Sequence, residues 1–95
     1  MDKKNIAIVK IKDLINELEL VLVRGDMKVL SVSSPEQISQ FIKVFKGSLN
    51  QLVTGNLPPK NERALGMATI VIDQWPYELK LGSMIIDAEQ AYKNI

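Results

Sequence analysis

Residues 34–55, SPEQISQFIKVFKGSLNQLVTG, have the features of a complete amphipathic helix. Ser34 is a typical N-cap residue, and Pro35 suits the first helical position. Gly55 follows where a left-handed C-cap is common. Apolar residues recur between the caps at helical spacing, at Ile38, Phe41, Ile42, Phe45, Leu49 and Leu52. We therefore predict a helix of about five turns with one buried face.

The size and charge of the chain set the broad class of protein. The chain has 95 residues, of which 46% are hydrophobic and 24% are charged, as is ordinary for a globular protein. We expect residues 1–95 to form one small globular domain. Twelve basic and eleven acidic residues give a net charge of +1, without the basic excess that is typical of nucleic-acid binders.

Two residue types are missing from the sequence, cysteine and histidine. Thiol nucleophiles, the commonest general base and the commonest transition-metal ligands are therefore absent. We expect no enzyme activity, no catalytic residue, no metal site and no cofactor. The absence of cysteine is compatible with the cytoplasm, and the longest uncharged apolar run, residues 64–72, is too short to span a membrane. We expect a cytoplasmic protein.

The first third of the chain has two interpretations. Residues 2–19 predict a helix with Asp2 as a candidate cap, although residues 6–11 also suit a short strand. Residues 19–33 are rich in valine and contain Gly25 followed by Asp26, which predicts a short β-hairpin. The alternative continues the first helix to Val23, with Gly25 as its C-cap and residues 27–33 extended.

The remainder of the chain is mostly helical by its spacing. Residues 57–61 predict a linker, the next helix is expected from near Pro59 until Pro76 ends it, and residues 77–95 contain a closing helix. The predicted fold is thus α+β and mainly helical: a helix, a short β-hairpin at about residues 19–33, and two or three helices.

A second interpretation of the whole chain is a small α/β domain. It takes residues 49–54, 69–73 and 84–87 as strands that alternate with helices and form a parallel sheet. The loops after Val53 and Asp73 would then lie where α/β proteins bind ligands, so that the protein would be a small ligand-binding regulatory domain.

The preferred functional interpretation is a non-enzymatic protein-interaction or regulatory module that self-associates through an apolar face. It depends on apolar residues that lie beside or off the main stripes: Ile6, Val9, Leu14, Leu20, Val44, Val53, Ile70 and Ile86. Trp75 and Tyr77 are candidate partner-binding residues, because aromatic residues dominate interface hot spots. A tryptophan beside a helix-ending proline also suits a core position.

The alternative function is a small nucleic-acid-binding regulator. Its candidate residues are Lys3, Lys4, Lys43, Lys46, Lys60 and Arg63, which could follow a phosphate backbone if they converge in space. The simpler interpretation of the same residues is a solvated lysine surface.

Overall fold

The computed structural model describes residues 2–95 and is 76% helical. Its elements are α1 (Lys3–Arg24), α2 (Met27–Leu30), α3 (Pro35–Thr54), a 3₁₀ turn (Lys60–Glu62), α4 (Met67–Gln74) and α5 (Lys80–Lys93). None of the described residues lies in a β-strand. The predicted α+β fold is therefore wrong, and the described part of the chain belongs to the all-α class.

The predicted hairpin at residues 19–33 is replaced by the end of one helix and the start of another. Gly25 has a left-handed backbone (φ 64°), and its N–H donates to Val21 O, which ends α1. The Asp26 carboxylate then accepts a hydrogen bond of 3.0 Å from Lys28 N and caps α2. Val21 and Val29 are both buried in the core, and this burial outweighs the β-propensity of the valines.

The alternative α/β fold is also wrong. Residues 49–54 are the last turns of α3, residues 69–73 lie inside α4, and residues 84–87 lie inside α5. The caps at the two ends of α3 explain why residues 49–54 are helical. Ser34 Oγ accepts a hydrogen bond of 3.1 Å from Gln37 N, and Gly55 adopts φ 76° at the other end, so α3 is helical between them, as its spacing predicts.

The core lies where α1 meets α3 and α5. Helices α3 and α5 both pack against α1, and α4 packs against α5. The largest fully buried side chains are Tyr92, Phe41, Phe45, Ile11, Leu14, Leu18, Ile38, Leu52 and Ile85. They come from α1, α3 and α5 alone, so these three helices form the centre of the domain.

The segment between α3 and α4 is held by two charged side chains. Arg63 donates from Nε to Pro58 O at 2.9 Å and from Nη1 to Ile95 O at 2.7 Å. Glu89 on α5 accepts hydrogen bonds from Leu65 N at 3.2 Å and Ala68 N at 2.9 Å. The helix expected from near Pro59 begins instead at Met67, because the left-handed backbone of Gly66 (φ 82°) separates it from the 3₁₀ turn.

Within residues 2–95, no helix combines the length with the apolar character that crossing a bilayer requires.

Candidate functional site

Helix α1 has a second apolar stripe on the side away from the core. Its core side is formed by Ala7, Ile11, Leu14, Ile15, Leu18 and Val21, all of which are buried. Away from them, residues 6, 9, 13, 16, 20 and 23 recur at alternating steps of three and four, which places them along one line of the helix. We call this line the outer stripe; it consists of Ile6, Val9, Asp13, Asn16, Leu20 and Val23.

The apolar members of the outer stripe are accessible to solvent. Ile6 is 37% exposed, Val9 48% and Val23 82%, whereas Leu20 is half-buried. Apolar residues on two sides of a helix are typical of a helix that packs against neighbours on both sides. Val9 and Val23 are exposed, whereas Ile6 and Asp13 border hollows shared with α5, so the outer stripe has the spacing of a packing surface that the described chain covers only in part.

Charged residues flank the outer stripe in a segregated order. Lys10 and Lys12 flank its N-terminal half, and Glu17 and Glu19 flank its C-terminal half. Lys10 and Glu17 are seven residues apart and share one edge of the stripe, while Lys12 and Glu19 share the other. The middle of the outer stripe therefore lies between charges of opposite sign, while Lys3 and Arg24 put basic residues at both ends of the edge that holds Lys10 and Glu17.

Only one of these four flanking charges has a partner within the described chain. Glu19 forms an ion pair of 3.3 Å with Lys46 on α3, in which both side chains are about half exposed. Lys10, Lys12 and Glu17 form no ion pair with any of residues 2–95. They are available to a charged group on another molecule.

A groove of about 540 Å³ opens beside the outer stripe, between α1, α2 and the start of α5. Val21, Val29, Leu79, Leu81 and Met84 supply its apolar lining, and Asp13, Glu17, Asp26, Lys28 and Lys80 supply its charged lining. Asp13 thus belongs both to the groove and to the outer stripe. Two smaller hollows, of about 310 and 110 Å³, continue along the seam between α1 and α5.

The two predicted partner-binding aromatics have different environments. Trp75 is 5% exposed, and its ring lies 6.0 Å from that of Phe41, centroid to centroid, so it belongs to the core. Tyr77 is 95% exposed. It lies in a turn closed by a hydrogen bond of 3.1 Å from Leu79 N to Pro76 O. Of the two, only Tyr77 is placed to contact another molecule.

The predicted nucleic-acid-binding residues lie on four separate segments of the chain. Lys3 and Lys4 begin α1, Lys43 and Lys46 lie on α3, Lys60 is in the 3₁₀ turn and Arg63 follows it. Lys46 is paired with Glu19, which is about 24 Å along α1 from Lys3. The half-buried Arg63 is engaged with backbone carbonyls. The structure does not gather these six side chains on one helix face.

The remaining candidates for chemistry are few. Val53 and Asp73, after which the α/β interpretation placed ligand-binding loops, lie within α3 and α4. No group of three or more acidic residues within residues 2–95 is arranged to hold a metal ion. The buried Tyr92 hydroxyl donates to Gln51 Oε1, and the buried Glu89 carboxylate accepts from two backbone N–H groups, so both have structural partners.

Three of the four apolar members of the outer stripe are evident from the sequence, and the fourth is not. Ile6, Val9 and Leu20 stand out as apolar residues beside the main stripe. Val23 is the missing residue, because the hairpin prediction places it in a β-strand. The signal that could have found it is the continuation of the alternating three-and-four spacing to residue 23.

No protein-family model matches this chain, and no curated protein matches it. The outer stripe and its flanking charges are therefore the features of the molecule that bear on function.

Proposed function

We propose that the protein is a non-enzymatic protein-interaction module that self-associates through the outer stripe of α1. The observation that carries the proposal is the exposure of Ile6, Val9 and Val23 at the spacing of a helix-packing surface. Burial of such side chains against a second copy removes apolar surface from water, which favours association.

The dimensions of α1 suit this role. A helix of 22 residues is about 33 Å long, and the longest dimension of the domain is 36 Å. Two copies that pair along α1 would therefore contact one another over nearly the whole length of the domain. The net charge of +1 produces little long-range repulsion between two copies. A second copy is thus sterically and electrostatically suited to the surface.

We also place this module in the cytoplasm, on composition alone, because a chain without cysteine has no need of an oxidising compartment.

The test is the native mass in solution, measured by light scattering after size exclusion at several protein concentrations. We expect the native chain to be a dimer that persists at high salt, because apolar burial is insensitive to screening. The outer-stripe variant Val9→Asn/Val23→Asn should be a monomer with unchanged helix content. A native chain that is monomeric at every concentration contradicts the proposal.

Matched controls locate the contact. Val53 on α3 and Ile72 on α4 are 64% and 67% exposed, so Val53→Asn and Ile72→Asn remove equally accessible apolar side chains elsewhere. Both controls should remain dimeric. Tyr77→Ser tests the predicted aromatic contact in the same way. If any of these three variants were monomeric, the contact would include that residue, and the assignment of the interface to α1 would be wrong.

A further inference from the structure

We infer that two copies pair with their α1 helices antiparallel, in a register centred between Asp13 and Asn16. This inference rests on the proposed function, because it specifies the geometry of that same contact. It depends on three observations: the symmetry of the outer stripe, the polar residues at its centre, and the order of the charges along its edges.

The outer stripe has the same chemical pattern when it is read in either direction. Ile6 and Val23 are its ends, Val9 and Leu20 lie next to them, and Asp13 and Asn16 are at the centre. A two-fold axis at the midpoint therefore places Ile6 opposite Val23 of the second copy and Val9 opposite Leu20 of the second copy. Every apolar residue of the stripe then meets an apolar residue, as a self-complementary interface requires.

The central polar pair selects the antiparallel orientation. In this orientation, Asp13 lies opposite Asn16 of the second copy, so a carboxylate meets an amide that can donate a hydrogen bond, and symmetry repeats the contact. In a parallel pair, Asp13 would lie opposite the same carboxylate of the second copy, which is a like-charge contact between apolar layers. Polar residues within a helix-packing stripe are known to specify orientation and register in this way.

The four central flanking charges match in the same register, whereas Lys3 comes beside Arg24 of the second copy at the two ends of one edge. Lys10 comes beside Glu17 of the second copy along one edge, and Lys12 comes beside Glu19 of the second copy along the other. Symmetry doubles each contact. Lys10, Lys12 and Glu17 form no ion pair within residues 2–95, so three of these four side chains would gain an ion pair that the described residues do not provide.

Introduced cysteines report the orientation directly, because the native chain has none. We expect the Val9→Cys and Leu20→Cys variants to form a mixed disulfide when they are combined and mildly oxidised. Val9→Cys alone should remain uncrosslinked, since its two copies would lie about 16 Å apart along the helix axis, beyond disulfide reach. Val53→Cys, on α3, is the exposed control and should form no disulfide with either variant.

A charge exchange tests the register independently. Lys10→Glu and Glu17→Lys should each weaken self-association about tenfold, because two attractions become two repulsions. An equimolar mixture of the two variants should dimerise as tightly as the native chain. In a parallel pair, Lys10 would lie beside the uncharged Asn5 of the second copy, and Lys10→Glu would leave the mass unchanged.

The outcomes separate the register from the proposed function. Efficient crosslinking of Val9→Cys with itself, or a dimer unaffected by Lys10→Glu, overturns the antiparallel register while self-association stands. A dimer that forms neither the mixed disulfide nor the restored charge pair also overturns it. A native chain that is monomeric at every concentration overturns both proposals.

Discussion

The Glu89 carboxylate accepts a hydrogen bond of 2.9 Å from the backbone N–H of Ala68 and so caps a helix to which Glu89 does not belong. Helix α4 has no side-chain cap of its own at Gly66. The other Glu89 oxygen accepts from Leu65 N at 3.2 Å, and the residue is 5% exposed. A buried charge on α5 thereby satisfies donors at the start of α4, which fixes the two helices relative to each other.

Removal of this cap should destabilise the domain. Glu89→Ala leaves two backbone N–H groups without their acceptor, and we expect a loss of about 2 kcal/mol in the free energy of unfolding. Urea denaturation monitored by circular dichroism measures this loss. Glu78→Ala is the control, since Glu78 is exposed and should change stability by no more than about 0.5 kcal/mol. Equal effects of the two substitutions would contradict the capping role.

Truncation of the Trp75 side chain should lower the free energy of unfolding more than substitution of an exposed residue does. We expect Trp75→Ala to destabilise the domain by about 3–5 kcal/mol, because it leaves a cavity beside Phe41. Tyr77→Ala, two residues away, should change stability by less than about 0.5 kcal/mol, because that side chain is 95% exposed. Thermal unfolding followed by far-ultraviolet circular dichroism compares the two. A small effect of Trp75→Ala would show that Trp75 is not a core residue.

Substitution by alanine at two helical glycines should have different effects on the stability of the domain. A Cβ at Gly47, within α3, meets no atom within 4 Å, so Gly47→Ala should stabilise the domain by about 0.5–1 kcal/mol through helix propensity. A Cβ at Gly82, in α5, would lie 3.0 Å from Val71 Cγ1 and 3.5 Å from Trp75 Cε3. This crowding should offset the gain in helix propensity. The free energy of unfolding of Gly82→Ala should therefore be lower than that of Gly47→Ala by about 1 kcal/mol or more. Urea midpoints of both variants test the difference.

The stability of the domain should fall in alkaline solution, partly through Tyr92. Burial raises the pKa of the Tyr92 hydroxyl above its ordinary value of 10.0, and the charge of Arg63 opposes part of this rise. Above pH 10 the unfolded chain therefore releases this proton before the folded chain does. The stability that Tyr92 contributes is present below pH 10 and is lost as the pH rises through its folded pKa.

The measurement for Tyr92 is the slope of unfolding free energy against pH in alkaline buffer. Tyr92→Phe should reduce the slope, although it also removes the hydrogen bond to Gln51 and lowers stability at neutral pH. Tyr77→Phe serves as the control, since it removes the same hydroxyl from a side chain that is 95% exposed. An identical slope in the native chain and Tyr92→Phe would contradict the argument.

The sequence predicts the helices whose signals are local. The Ser34 and Gly55 caps and the spacing between them are enough to define α3, and the spacing from Leu81 to Tyr92 is enough for α5. The hairpin prediction is wrong because the preference of valine for strands is weaker than the burial of Val21 against the core. That burial is a property of the folded domain, which the local sequence does not specify.

The candidate site could be predicted only in part. The surplus apolar residues Ile6, Val9 and Leu20 are visible from spacing alone, but their exposure depends on which side of α1 the other helices occupy. The cap that Glu89 provides could not be predicted either, because Glu89 and Ala68 are 21 residues apart and belong to different helices. Both features arise from tertiary packing, which a local pattern does not encode.

The packing of α1 against α5 joins two helices that are far apart along the chain. A ribosome produces α1 first, and its core side cannot be covered on the α5 side until the segment after Lys80 has emerged. During that interval, buried residues such as Leu14 and Leu18 remain accessible to chaperones and to other nascent chains. The order of synthesis therefore delays the burial of this side of α1 until α5 has been made.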